Sequence, residues 1–174
     1  MIPHEKKNIA HLITGLNAGG AERMVFHLST KINQNEFLSQ VITLNSNSTQ
    51  LISEFKKNKI KVTLLELKKN IFNTISAIFK LLYVIKKSNI KIVHAHLFHA
   101  LVVAACAKIL NPYLVIIWTS HSKDQTSWMR RIIVFLLLPI RKCDIIFTKN
   151  MNTWFVKKKY YIIEMHSSYK RKIK

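Results

Sequence analysis

The apolar positions of this chain fall into runs of two kinds, and their order along the sequence predicts the fold. Ile9-Ala-His-Leu-Ile13 is a short, nearly continuous apolar run of strand character; it breaks into a glycine-rich loop, and Ala21 to Lys31 resumes with apolar residues at helical spacing. Leu38 to Leu44 reads as a second strand, β-branched and followed by the polar loop Asn45 to Thr49; Gln50 to Asn58 reads as a short helix and Lys61 to Leu67 as a third strand. Ile71, Ile75, Ile78, Phe79, Leu82 and Ile85 then recur at helical spacing up to Ser88-Asn89. Ile90 to His96 is a fourth strand, and Ala100 to Leu110 an alanine-rich helix stopped by Asn111-Pro112. Tyr113 to Ser120 is a fifth strand, Trp128 to Pro139 a strongly apolar helix and Cys143 to Thr148 a sixth strand. Strands that alternate with helices and are apolar throughout belong to a parallel sheet covered on both faces. The expectation is an α/β, doubly wound Rossmann-like domain over residues 1–148.

The remaining residues, 149–174, change character. Lysines dominate, Glu164 is the single acid, and the apolar residues keep no steady period. This predicts a basic tail: a helix lying on the domain or a membrane, a disordered end, or the start of an interdomain region. The whole chain carries 28 Lys and Arg against 8 Asp and Glu, a net charge of +20, which suits polyanions such as nucleic acid, anionic lipid head groups or phosphorylated substrates. The lysines are scattered among Ile and Asn, and no basic helix with interleaved aromatics stands outside the tail, so specific nucleic-acid binding rests on charge alone. Cys106 and Cys143 share no CxxC spacing, which argues against a disulfide framework or structural zinc and for a reducing cytoplasm. Met1 to Lys7 is polar, and the uncharged run Ile132 to Ile140 is too short to cross a bilayer and contains Pro139. A soluble or peripheral protein is expected.

Chemistry concentrates at the predicted carboxyl ends of the strands, where open parallel sheets bind ligands. All 3 glycines, Gly15, Gly19 and Gly20, sit in the loop after the first strand, which also carries Asn17. Glycine serves where the backbone needs positive φ or a close approach, and the helix that follows points its free N–H groups and positive dipole end at the loop. A phosphate or sugar hydroxyl suits that place, while a plain tight turn is the alternative. The spacing matches neither the dinucleotide fingerprint nor a P-loop. Strand four leaves His94, His96 and His99; strand five leaves Thr119, Ser120, His121 and Ser122. His94 is expected buried within its strand, with His96 and His99 better placed to reach the crevice. His-x-His can chelate, yet the spacing supplies no third and fourth ligand and no carboxylate or cysteine stands near, so no metal is expected. His121 is the residue to single out, placed to hydrogen-bond a sugar hydroxyl or a developing charge, with strand-end capping as its alternative. A Ser-His hydrolase is not expected, since there is no Gly-x-Ser-x-Gly elbow and Asp124, the nearest acid, is too local to support a triad.

Four blocks carry a resemblance: Thr14-Gly-Leu-Asn-Ala-Gly-Gly-Ala-Glu-Arg23, Lys91-Ile-Val-His-Ala-His96, Ile116-Ile-Trp-Thr-Ser-His-Ser122 and Cys143-Asp-Ile-Ile-Phe-Thr148. In order and spacing they are similar to the N-terminal, acceptor-side domain of family 4 glycosyltransferases, the GT-B enzymes that build bacterial surface polysaccharides. The resemblance implies that Gly19 and Gly20 face the donor diphosphate and that His121 lies beside the reacting sugar as catalytic residue. Asn17, His96, His99 and Ser120 are further candidates for substrate binding. It implies a retaining hexosyl transfer with a nucleotide-sugar as co-substrate and no other cofactor. The acceptor would be a lipid-linked or surface glycan precursor for the cell envelope. The +20 charge and the Trp128 to Pro139 helix suit docking on anionic lipid at the cytoplasmic face of the membrane. The departure is that such enzymes need a second Rossmann domain with a glutamate pair, which this sequence does not contain. A truncated or partial chain, or one subunit of a split transferase completed by a second polypeptide, is expected. The alternative is a non-catalytic acceptor-binding partner, and after it a basic nucleic-acid-binding protein.

Overall fold

The computed structural model describes residues 6–47, 50–67, 71–121, 127–151, 153–157 and 160–162. In chain order the elements are β1 (Lys7–Ile13), α1 (Gly20–Lys31), β2 (Phe37–Thr43), α2 (Ile52–Lys57), β3 (Lys61–Leu64), α3 (Ile71–Lys87) and β4 (Ile90–His96). They continue with α4 (Leu97–Leu110), β5 (Val115–Thr119), α5 (Trp128–Leu136), β6 (Cys143–Ile146) and β7 (Tyr160–Ile162). All strand pairs are parallel, in the order β3-β2-β1-β4-β5-β6-β7. This is the doubly wound, Rossmann-like α/β sheet expected. The order reverses between β1 and β4, so the crevice of the fold opens between the loops that follow those two strands.

Both faces of the sheet are covered, which is why the strands are apolar throughout. Ala10, Leu12, Val93, Ala95, Ile116 and Trp118 pack in one core with Ala77, Leu81 and Ile85 of α3 and Ala100, Ala104 and Ala107 of α4. The methyl-sized side chains of α4 let the helix lie close to the central strands. On the opposite face Ile13 and Val41 pack with Leu16, Val25 of α1 and Phe55 of α2. α4 starts at Leu97, earlier than the alanine run suggests, because Leu97 takes φ 69° and turns the chain out of β4 in one step. β3 stops at Leu64, short of Leu67, with Glu66 in the left-handed region at φ 57°.

The packed core and the sheet include residues beyond 148, where the sequence places the start of the tail. Phe155 and Val156 are buried in the same core as Trp118, and β7 adds a parallel edge strand with Tyr160 opposite Asp144. The physical reason is a pair of buried charges on either side of the start of β6. Arg141 and Asp144 are fully buried and 3.2 Å apart, and the Arg141 guanidinium lies 4.8 Å over the Trp118 ring. Desolvating both charges requires further partners. The following segment supplies them: Arg141 Nη2 donates to the Phe155 carbonyl at 2.9 Å, the Lys157 N–H donates to Asp144 Oδ2 at 2.7 Å, and Lys157 Nζ reaches the Arg141 carbonyl. The rest of the predicted tail, 163–174, lies outside the described residues.

Candidate functional site

The loop after β1 is pinned from below and bare on top. The Leu44 and Asn45 N–H groups donate to the carbonyls of Ile13 and Thr14, Leu51 N–H donates to the Leu16 carbonyl at 3.1 Å, and Ala18 N–H donates to Gln50 Oε1 at 3.1 Å. Leu16 is thereby sunk into the core while Asn17, Ala18, Gly19 and Gly20 stand exposed. The expectation of positive φ fails, since none of the glycines adopts it. What Gly19 and Gly20 provide is space. Gly19 is the extended N-cap of α1 and makes no side-chain cap; a Cβ there would first meet the Glu22 carboxylate at the end of its side chain, at 2.5 Å, and a Cβ on Gly20 would meet nothing within 4 Å. The first turn of α1 therefore offers uncapped N–H groups and a positive dipole end, with Glu22 as the only acid of that turn.

Across the switch point stands a group of imidazoles on the α1/α2 face of the sheet. Parallel register sets His11 of β1 opposite His94 of β4, and His96 opposite Thr119 of β5. His11 Nδ1 lies 3.3 Å from His96 Nε2, and His96 Nδ1 lies 3.1 Å from His121 Nε2 just beyond β5. His94 Nε2 bonds Thr119 Oγ1 at 2.6 Å, and its ring lies tilted against His96 with centroids 4.1 Å apart. Burial pushes His11 and His121 down to about 4. Burial also pushes His94 and His96 well below the ordinary imidazole range, assisted by the neighbouring histidines. All of these rings are neutral at pH 7.

The candidate residues thus separate into two levels. His121, half-buried and 5.4 Å from the Phe147 ring, stands at the crevice with the exposed Asn17, Gly19 and Gly20 on the β1 side. His99 is exposed on the first turn of α4, where partial burial and then the Arg130 charge lower its pKa. His96 does not reach the crevice as its place at the strand end suggests: it is fully buried, because the pleat turns it to the same face as His94, and it touches the crevice only through His121. Ser120 is also buried, with its N–H donating to the Ile145 carbonyl at 3.1 Å.

His11 is the residue that local sequence reading misses. It supplies the third imidazole that His-x-His spacing lacks: single nitrogens of His11, His94 and His96 lie within 4.8 Å of one another. That spread exceeds the roughly 3.4 Å between nitrogens of a tetrahedral zinc site, and the triad includes no carboxylate. The arrangement offers an anion the start of α1, and offers a hydroxyl the neutral ring of His121.

An open parallel sheet with an uncapped helix start at its switch point is a Rossmann-like arrangement, in which ligands bind at the carboxyl ends of the strands. The sequence matches the family model "Glycosyltransferase Family 4" over residues 18–155, and the chain belongs to that family. No protein of curated function matches it. Among solved structures, it is similar to a glycosyltransferase from Rickettsia africae, with TM-score 0.74 and 18% identity over 92% of this chain and 43% of that one. It is similar also to Anabaena HepE in complex with UDP and glucose, with TM-score 0.72 and 16% identity over 89% of this chain and 43% of that one. MurG of Acinetobacter baumannii gives TM-score 0.69 and 11% identity over 90% and 44%. The chain spans less than half the length of each of these proteins, and at such identities the likeness is one of fold.

Proposed function

We propose that this chain is the acceptor-side half of a GT-B glycosyltransferase that moves a hexosyl group from a nucleotide-sugar to a lipid-linked or surface glycan precursor. The observation that carries the reading is the juxtaposition at the switch point, within a family 4 chain, of the uncapped α1 start at Gly19-Gly20 and the neutral His121. The donor diphosphate binds at the helix start, where amides and dipole offset its charge. His121 hydrogen-bonds the reacting sugar, and Asn17 and His99 line the acceptor approach. Transfer is retaining and uses no metal; the protein contributes geometry and fixed dipoles as the bond to the phosphate breaks. A second wall over the crevice, with groups that hold the nucleotide, completes the site from residues other than those described.

The membrane face of the reading rests on α5. Trp128, Met129, Phe135 and Leu136 are exposed along it, Trp154 packs beside Phe135 at 5.3 Å between centroids, and Arg130 and Arg131 interrupt the patch. No helix among the described residues is long and apolar enough to cross a membrane. We place the protein at the inner face of the cytoplasmic membrane, α5 resting in the interface among anionic head groups.

The test is transfer by the protein isolated with whatever accompanies it in the cell, read as nucleoside diphosphate release from a panel of nucleotide-sugars with and without lipid acceptors. Acceptor-dependent release that His121→Ala abolishes, with the fold retained, supports the transferase. Binding of glycolipid without turnover of any donor, by the protein and everything that accompanies it, refutes the transferase and supports a non-catalytic acceptor-binding subunit.

A further inference from the structure

Three imidazoles form one hydrogen-bonded row from the middle of the sheet to the crevice: His11, His96, His121. His96 uses both ring nitrogens in it. A neutral imidazole carries one N–H and one lone pair, so His96 donates along one bond and accepts along the other. The row therefore has a direction, and the nitrogen that carries the proton on His121 is tied to the one that carries it on His11, a ring it does not bond. The inner end is blind, since His11 Nε2 is buried and has no partner among the described residues. Reversing the row would move one proton between that nitrogen and His121 Nδ1. Among the described residues no group bonds the blind end to give or take one, so the direction holds once the sheet has closed.

The two directions are not equivalent. One puts the hydrogen of all three rings on Nε2, the more stable neutral form of a histidine side chain; the other puts all three on Nδ1. We propose that His11 and His96 are positioning residues for His121, with His121 Nε2–H donating to His96 and His96 Nε2–H to His11, so that His121 Nδ1 is left a lone pair that accepts a hydrogen from a sugar hydroxyl. This gives the two sides of the crevice opposite demands. The start of α1 offers donors and selects phosphate oxygens, while His121 offers an acceptor, selects a hydroxyl and rejects an anionic oxygen. The identity of the ligand rests on the function proposed above; the direction of the row does not. His94 is a built-in control, because its ring lies tilted against both His96 and His11 yet bonds Thr119 instead of the row.

The experiment is long-range proton–nitrogen correlation on the full chain labelled with nitrogen-15 in histidine, at pH 7. His11, His96 and His121 are each expected to show a protonated nitrogen at Nε2 and a lone-pair nitrogen at Nδ1, without averaging. His96→Phe should return His121 to a mixture of the two neutral forms, and His11→Phe should do the same across the intervening ring; His94→Phe should leave His121 unchanged. An Nδ1–H or averaged His121 in the unaltered protein overturns the proposal, and so does an effect of His94→Phe equal to that of His11→Phe. One equivalent of zinc that shifts the rings of His11, His94 and His96 together overturns it in favour of a metal site. The unaltered spectrum decides the matter even where a variant does not fold. A spectrum as expected in a protein that binds no nucleotide-sugar or glycan leaves the row standing and removes only the functional reading.

Discussion

Acid should unfold this protein well before its carboxylates are protonated, and His11 sets a lower limit on the effect. In the unfolded chain its pKa is the ordinary 6.5; in the native sheet it is about 4, because burial disfavours the charged ring. A folded value below the unfolded one means that the unfolded chain takes up a proton the native state refuses. The stabilisation is therefore fully present above pH 6.5 and is lost as pH falls from there towards 4. Each unit within the window removes about 1.4 kcal/mol, so His11 alone costs about 2 kcal/mol between pH 7.5 and 5.0. His94, His96 and His121 shift in the same direction and deepen the loss. Against a total stability of about 5–15 kcal/mol this is a large fraction. The assay is urea unfolding followed by circular dichroism and tryptophan fluorescence at pH 7.5, 6.5, 5.5 and 5.0, on the unaltered chain and on His11→Phe. Asp144, pushed up by burial, titrates in the opposite sense, but it does so in both proteins and cancels in the comparison. The variant should lose about 2 kcal/mol of the pH dependence. A pH dependence identical in the variant to within about 0.5 kcal/mol down to pH 5.0 refutes the argument that His11 is held neutral.

Further outcomes follow from the same geometry. Asp144→Ala strands the buried Arg141 and frees the Lys157 N–H, so it should cost about 3–5 kcal/mol in the urea midpoint analysis, far more than an exposed carboxylate such as Glu66. Gly20→Glu adds an acid to the first turn of α1 where a Cβ meets nothing; the fold should keep its stability to within about 0.5 kcal/mol while nucleotide-sugar affinity, measured by titration calorimetry, falls by at least about tenfold. Unaltered affinity would place the donor elsewhere. Trp128→Ser with Leu136→Ser removes two exposed apolar anchors worth roughly 1.5–3 kcal/mol each, so sedimentation with anionic vesicles should drop more than about tenfold without loss of fold.

Six of the strands were legible because each is a run of apolar residues long enough to carry its period, and together they gave the parallel sheet. β7 was not, since Tyr160-Tyr-Ile162 is a brief edge strand among lysines, held by the buried Arg141–Asp144 pair and not by a pattern of its own. At the site the glycine loop and His121 were readable as punctuation after strands. His94 is buried within its strand as its apolar neighbours imply, and Thr119 is its partner there. His11 was invisible because a histidine inside Ile-Ala-His-Leu-Ile has meaning only once β1 is known to lie beside β4, and neighbour order in a sheet is not a local property. The same ignorance assigned His96 to the crevice instead of beneath it.

The central position of β1 also governs when the molecule can exist during its own synthesis. Its partners lie far along the chain: the Asn8 side chain donates to the Ser88 carbonyl across 80 residues. At roughly 5–20 residues per second, β1 waits about 4–17 seconds on the ribosome before β4 has been made, with one edge of the future sheet open. An open apolar strand is a template for pairing with a neighbouring nascent chain. Lys6 just before β1, Lys7 at its start and Lys91 within β4 are all exposed in the finished fold, and they stand where charged gatekeepers restrain such pairing. A sheet wound outward from its middle trades speed of assembly for a site that no short segment can form.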